Sequence, residues 1–196
     1  MPASSFLSTR PYLPKHLLES AHTIYLSGFT LARTTREHLR FLELCLKTGG
    51  DVRVIILEAT VSLLDECVKR SEGRSTPEHW RKRLDSTESL LDVVATAPEV
   101  RGALSLGHLP YLPSYGIIMV DPDTDHGVIL IELYHHRSSE DNPTFELRAG
   151  RDGEWYKFFR RQFDLMWESC RIEKLPRRDN AEDTGSAPAS TTVTRN

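Results

Sequence analysis

Residues 23–57 read TIYLSGFTLARTTREHLRFLELCLKTGGDVRVIIL, and this stretch decides the fold. Thr23–Phe29 is typical of a strand, Thr34–Lys47 has the apolar stripe of an amphipathic helix, and Val52–Leu57 is a short β-branched run. Gly49-Gly50 is a natural stop for the helix. The order strand, helix, strand predicts a βαβ unit of a parallel sheet with a right-handed crossover.

The flanking sequence extends this α/β pattern in both directions. Thr76 can cap a helix and Pro77 suits its first position, which predicts a helix from there to about Ala95. The other predicted elements are a helix within Pro14–Ala21, a helix at Ser62–Arg70, strands at Val100–Leu106, Tyr115–Val120, Val128–Tyr134 and Thr144–Leu147, and a helix at Gly153–Arg171.

The last helix has the clearest pattern. Apolar side chains recur in it at steps of three and four, which predicts a buried stripe with Arg160, Arg161 and Glu168 left outside. The residues of the stripe are Trp155, Phe159, Phe163, Met166 and Cys170.

Length and composition indicate one domain. A chain of 196 residues with 25 Lys+Arg and 28 Asp+Glu has no strong basic field, so we expect no nucleic-acid partner. Cys45, Cys67 and Cys170 are typical of buried thiols in a reducing compartment, and no apolar run suffices for a signal sequence or a membrane span. We therefore expect a cytoplasmic protein with an N-terminal segment at 1–13, an α/β domain at 14–173 and a disordered tail at 174–196.

Five segments carry a resemblance to a known family. They are IYLSGFTLARTTREHLRFLELCLKTGGDVRVIILEA (24–59), YGIIMVD (115–121), IELYHHR (131–137), PTFELR (143–148) and WYKFFRRQFDLMWESC (155–170). Together they resemble a phospholipase-D-like domain of unassigned function that is found behind helix-turn-helix segments in bacterial regulators. The resemblance implies a single half-domain in which helices flank a mixed β-sheet. It also implies a homodimer, because single-copy members of that superfamily commonly pair their half-sites.

The catalytic motif of that superfamily is missing from this chain. Active members carry His-x-Lys-x-x-x-x-Asp, in which His attacks phosphorus and Lys neutralises the phosphoryl oxygens. With Asp121 placed at the motif's Asp, the His position falls on Ser114 and the Lys position on Gly116. No His-x-Lys occurs anywhere in the sequence. We therefore predict a non-catalytic pseudoenzyme.

Two groups of residues are candidates for binding in the vestigial cleft. Glu132, Tyr134 and His136 share one face of a predicted strand beside Ser114 and Asp121, which indicates either a ligand pocket or a self-satisfied polar network. The loop Ser27–Arg36 follows a strand and opens a helix, and it carries Thr30 and Arg33. Backbone N–H groups at such a place favour phosphate, although Thr34 or Thr35 can also serve simply as a helix cap.

Other polar patterns have simpler explanations. His135 and His136 are adjacent on a strand and therefore point to opposite faces, so we expect no metal there. Asp121, Asp123 and Asp125 lack the glycine of a calcium loop, and we predict neither a metal nor a cofactor. The basic run Arg74–Arg83 is typical of a solvated helix face.

Three functions remain open at this stage. The first is a sensor or interaction domain that binds a small phosphorylated ligand or a partner protein, in bacterial regulation or defence. The second is a phosphodiesterase or nuclease with an altered active site, and the third is a lipid- or protein-binding adaptor. Loss of the His and Lys favours the first and the third, and we expect the first because the sequence shows no Lys-rich amphipathic helix. No helix-turn-helix precedes residue 14, so we expect a partner protein to supply any output.

Overall fold

The computed structural model describes residues 7–8, 13–73, 75–138 and 140–176. The helices are α1 (Lys15–Glu19), α2 (Ala32–Lys47), α3 (Val61–Arg70), α4 (Pro77–Ala95) and α5 (Ala149–Glu168). The strands are β1 (Thr23–Ser27), β2 (Asp51–Leu57), β3 (Ala103–Leu109), β4 (Tyr115–Val120), β5 (Val128–Leu133), β6 (Thr144–Arg148) and β7 (Arg171–Leu175). The predicted mixed α/β sheet flanked by helices is confirmed. Within the described residues, no helix is long and apolar enough to cross a membrane.

All seven strands form one sheet, in the order β6-β5-β4-β1-β2-β3-β7. Strands β1, β2 and β3 are parallel, as the βαβ pattern predicts, and the remaining neighbours pair antiparallel. Because β4 runs against β1, Ile117 lies opposite Ser27 and Val120 lies opposite Ile24. The carboxyl end of β1 therefore lies beside the beginning of β4.

The two faces of the sheet are covered by different helices, and side-chain alternation along each strand decides which residue faces which layer. On β1, Ile24 and Leu26 pack in the cluster that includes Leu42 of α2 and Leu64 of α3. Tyr25 packs in the opposite cluster, where its ring stacks on Phe163 of α5 at 5.0 Å between centroids. The helix layer of α2, α3 and α4 and the single helix α5 thus enclose the sheet.

The long C-terminal helix differs from its prediction. It begins at Ala149, four residues early, and is irregular at Gly153, where φ is 33°. Phe163 and Met166 are buried as expected, but the prediction for Trp155 was wrong because that side chain is 66% exposed. Arg160, expected outside, is half-buried in ion pairs with Asp123 and Asp164.

The sheet continues past the predicted end of the helix. The helix stops at Glu168, and β7 pairs antiparallel with β3 from His108↔Arg171 to Leu104↔Leu175. Ordered structure therefore extends beyond the boundary expected at residue 173, because the edge of β3 offers backbone groups for pairing. The rest of the expected tail, 177–196, lies outside the described residues, as do residues 1–6 and 9–12 of the N-terminal segment.

A close backbone contact at the amino ends of β2 and β3 predicts a large stability effect. A Cβ at Gly102 would collide with the carbonyl oxygen of Gly50 and lie 3.0 Å from the Gly50 nitrogen, and backbone cannot swing aside. We expect Gly102→Ala to lower the free energy of unfolding by about 3 kcal/mol in urea denaturation. Gly150→Ala is the control, because its Cβ meets only the Asp125 carbonyl oxygen at 3.6 Å. Equal midpoints for the two variants would contradict the prediction.

Candidate anion-binding site

Two adjoining cavities open at the carboxyl end of β1, between the helix layer and the loop that follows β5. The larger, of about 970 Å³, we call the arginine cleft, and the smaller, of about 430 Å³, we call the side cavity. Residues Arg33, Thr34, Glu132 and Asn142 line both. The carboxyl end of a strand in an open α/β sheet is the usual place for a ligand site.

The β1–α2 loop forms one wall of the arginine cleft. It enters α2 through Leu31, whose φ of 52° is left-handed, and no side chain caps the helix at that residue. The buried Thr30 holds the loop in place, because its carbonyl oxygen accepts a 2.6 Å hydrogen bond from the Thr87 hydroxyl on α4. The first turn of α2 therefore opens onto the cleft with backbone N–H groups and the positive end of the helix dipole.

The positive charges of two arginines on α2 act on a third arginine on α4, and Arg33 and Arg83 line the cleft. Arg33 and Arg36 come from the first turns of α2, and Arg83 comes from α4. Burial, followed by the nearby positive charges of Arg33 and Arg36, lowers the pKa of Arg83. Within the part of the chain that the structure describes, Arg36 and Arg83 make no ion pair, and Arg33 only approaches Glu132 at 3.8 Å. We call Arg33, Arg36 and Arg83 the arginine trio.

Aromatic rings form the inner part of the arginine cleft. The Phe29 ring lies 4.4 Å from the ring of Tyr134 and 6.3 Å from that of Trp80, measured between centroids. The guanidinium of Arg70 lies 5.7 Å from the Phe29 centroid, and that of Arg83 lies 5.5 Å from the Trp80 centroid. These cation–π contacts stabilise the guanidinium groups of Arg70 and Arg83 and hold them in position.

Tyr134 fills the space left by two glycines, Gly28 directly after β1 and Gly116 on the neighbouring β4. A Cβ at Gly28 would come within 2.8 Å of the Tyr134 hydroxyl, and a Cβ at Gly116 within 2.6 Å. Burial, only partly offset by the nearby backbone N–H of Phe29, raises the pKa of Tyr134 far above its ordinary value. The phenol therefore occupies the place above Gly116.

The wall of the cleft beside Arg33 carries hydrogen-bond acceptors. The Glu132 carboxylate accepts a 2.9 Å hydrogen bond from Asn142 Nδ2. In the side cavity, burial lowers the pKa of His38, whose Nδ1 has no hydrogen-bond partner among the described residues. The cleft as a whole therefore places cationic groups and neutral or anionic acceptors side by side.

The structure brings together only part of the predicted site. Thr30, Arg33, Glu132 and Tyr134 line the arginine cleft. Ser114 is exposed and does not line either cavity, although its carbonyl oxygen accepts the Tyr134 N–H at 3.3 Å.

Asp121 and His136 lie elsewhere than expected. Asp121 is at the far end of β4, where its carboxylate accepts the backbone N–H groups of His22 and Thr23 at 2.9 and 2.7 Å. It is separated from the cleft because antiparallel β4 spans the sheet between Gly116 and Asp121. The predicted alternation also fails beyond Leu133, where β5 ends, so His136 is exposed and His135 lines the cleft instead.

Arg83 is the residue that the sequence analysis missed. The basic run around it was expected to be a solvated face, and neighbouring Arg81 and Lys82 are indeed exposed. A signal existed, however, because Trp80, Leu84 and Thr87 define the inward stripe of α4 and Arg83 lies at its edge on the helical wheel. A guanidinium beside the buried face of a helix needs hydrogen-bond acceptors there, and either the protein or a ligand has to supply them.

The fold and the cleft together define an α/β domain with a mixed seven-stranded sheet and an arginine-lined site at the carboxyl end of β1. No protein-family model matches the chain, and the search of curated proteins found no match. Two solved structures among those that match are "TrmBL2, an archaeal chromatin protein" with "a novel mode of DNA binding" and Nuc from Salmonella typhimurium, a phospholipase D family member.

The similarity to both structures is distant. TrmBL2 is 14% identical over 80% of this chain, with a TM-score of 0.42, and this chain spans 47% of its length. Nuc is 14% identical over 81% of this chain and 86% of its own, with a TM-score of 0.46. The chain is thus similar in fold to both, and we draw no functional conclusion from similarity at this level.

Proposed function

We propose that this chain is a non-catalytic binding domain that takes a small phosphorylated ligand in the arginine cleft. The observation that carries the proposal is the arginine trio. Like charges held together cost free energy unless an anion neutralises them, and guanidinium groups bind phosphate oxygens with directed, charge-assisted hydrogen bonds. The phosphate would rest between Arg33 and Arg83, which line the cleft at the first turn of α2, with the charge of Arg36 nearby.

The chemistry of the cleft supports binding over hydrolysis. A phosphodiesterase of the superfamily type needs an imidazole nucleophile and a neighbouring lysine, and the aligned positions hold Ser114 and Gly116. The Tyr134 phenol stands above Gly116, and its raised pKa makes it a poor nucleophile. Ser114 is exposed outside the cavities, so a bound phosphate would lie away from its hydroxyl.

Calorimetric titration with inorganic phosphate, at constant ionic strength, tests the proposal. We expect saturable binding that weakens as chloride is raised, because the contacts are electrostatic. Arg36→Gln should weaken this binding by about 3- to 10-fold, the value of one exposed charge-assisted contact. Arg161→Gln, an exposed arginine on α5 at the other face of the sheet, is the matched control and should bind as the wild type does.

A titration with duplex DNA and a hydrolysis assay separate this proposal from a nucleic-acid interface and from a phosphodiesterase. Absence of saturable phosphate binding, or an equal loss in Arg161→Gln, would overturn the proposal. Tighter binding of duplex DNA than of phosphate, with a steep salt dependence, would indicate a nucleic-acid interface instead. Hydrolysis of bis(p-nitrophenyl) phosphate that disappears in Ser114→Ala would establish the altered phosphodiesterase.

The remaining expectations belong to this proposal as well. We propose a cytoplasmic sensor whose output passes to a partner protein, and whose domain spans about residues 14–173 with a short continuation through β7. The homodimer implied by the family resemblance stays a prediction. Sedimentation at tens of micromolar protein is the measurement that checks it, and a monomer there would contradict it.

A further inference from the structure

The wall of the arginine cleft beside Arg33 carries buried acceptors that the protein leaves unused. Asn142 Nδ2 donates to Glu132, while Asn142 Oδ1 is buried and has no hydrogen-bond partner within the described part of the chain. His135 Nδ1 is also buried and has no partner among those residues. Both side chains belong to residues that line the cleft, and buried polar atoms normally have partners, so small rotations of these side chains would let a ligand satisfy the two atoms.

The hydrogen bonds already made determine what these atoms require. His135 Nε2 lies 2.9 Å from the carbonyl oxygen of Glu140, which can only accept, so Nε2 carries the proton. In the neutral ring Nδ1 then presents a lone pair. Asn142 Oδ1 is likewise an acceptor, because the amide nitrogen faces the Glu132 carboxylate. All three groups on this wall therefore need hydrogen-bond donors.

The donor-seeking wall is close to the anion-binding side. Arg33 Nη2 lies 3.8 Å from Glu132 Oε1, and the same Oε1 accepts from Asn142 at 2.9 Å. A ligand whose phosphate contacts Arg33 can thus reach Glu132 and Asn142 with a chain of only a few atoms. The cleft consequently has two poles, a cationic pole at the arginine trio and an acceptor pole at Glu132, His135 and Asn142.

We propose that the ligand is a small phosphate monoester whose other end carries N–H or O–H donors, and that the acceptor pole selects it. This inference rests on the proposed function, since the phosphate must occupy the trio. It adds that Glu132, His135 and Asn142 determine specificity. A phosphate ester with a bare alkyl end would leave His135 Nδ1 and Asn142 Oδ1 unpaired and would give Glu132 no additional donor, so it would bind more weakly.

Titration of the wild type with three phosphate esters at about pH 8 tests the inference. Propyl phosphate and phosphoethanolamine have the same shape, but the second ends in an ammonium group. Glycerol 3-phosphate supplies hydroxyl donors instead. We expect phosphoethanolamine or glycerol 3-phosphate to bind about 10-fold more tightly than propyl phosphate, the value of a hydrogen bond to a charged acceptor. Tighter binding of phosphoethanolamine would identify the preferred donor as an amine, and tighter binding of glycerol 3-phosphate would identify it as a hydroxyl.

A variant tests whether the preference for a donor-bearing ester depends on the acceptor pole. Glu132→Gln should reduce the preference for the donor-bearing ester to less than about 3-fold, because a neutral amide accepts more weakly than a carboxylate. Asn142→Leu, which also removes an acceptor, should act in the same direction if Glu132→Gln fails to fold.

Each outcome decides between the two proposals. Failure of all three esters and of inorganic phosphate to bind would overturn the proposed function and this inference with it. Equal affinity for the three esters would overturn the inference alone. A preference that is unchanged in both variants would also overturn it, because donors would then be recognised elsewhere.

Discussion

Tyr134→Ala is expected to lower the free energy of unfolding by about 3 to 4 kcal/mol, the usual cost of truncating a packed aromatic ring. The phenol fills the space above Gly28 and Gly116 and packs on Phe29. Its removal would leave a cavity there and open the inner wall of the cleft. Urea denaturation followed by far-UV circular dichroism measures the loss.

A double-mutant cycle tests the packing specifically. Gly116→Ala should cost about 2 kcal/mol, because its Cβ would lie 2.6 Å from the Tyr134 hydroxyl. Tyr134→Phe removes that hydroxyl and should make room for the new methyl group. We therefore expect the double variant to be about 1 kcal/mol more stable than the sum of the single losses implies. Strict additivity would mean that the two groups do not oppose each other.

Arg83→Met is expected to weaken binding of inorganic phosphate by about 10- to 100-fold, as loss of a charge-assisted hydrogen bond from a half-buried guanidinium implies. Calorimetric titration under the conditions used for the wild type measures the effect. The loss should exceed that of Arg36→Gln, because Arg36 is exposed and its charge is screened by solvent.

Arg83→Met should have much less effect on the stability of the fold than on phosphate binding. The cation–π contact with Trp80 is worth about 0.5 to 1 kcal/mol, and its loss is offset by relief of the repulsion from Arg33 and Arg36. We expect the free energy of unfolding without ligand to change by less than about 1 kcal/mol. A large loss of stability would show that Arg83 serves the fold, and unchanged phosphate affinity would remove it from the site.

Much of the chain's local structure follows directly from local sequence. Thr76 was predicted to cap α4, and its hydroxyl accepts the N–H of His79 at 3.2 Å. The β-branched run of β2 is buried between two helix layers, and Gly49 ends α2 with a φ of 88°. These features are predictable because a cap, a glycine stop and a side-chain period each involve residues only a few positions apart.

Strand ends and the last helix were harder to predict for an equally physical reason. The sequence ALSLGHL has no marker for where pairing stops, and β3 runs to Leu109 because parallel pairing with β2 continues to Leu57. Trp155 fits the period of an amphipathic helix, yet the next residue, Tyr156, is the one that packs in the cluster of Phe163 and the sheet. Periodicity shows that a stripe exists and does not show which residue at its edge meets the sheet.

The sequence by itself determined the order of helices and strands from α1 to α5, the mixed α/β class and the absence of His-x-Lys, and it predicts anion binding by the loop that carries Thr30 and Arg33. Only the tertiary structure decided which distant groups join that loop. It brings Arg83 from α4 to Arg33, and it sends Asp121 to the far end of the sheet. Both results depend on strand direction and helix packing, which arise from contacts between residues tens of positions apart, and no local pattern records them.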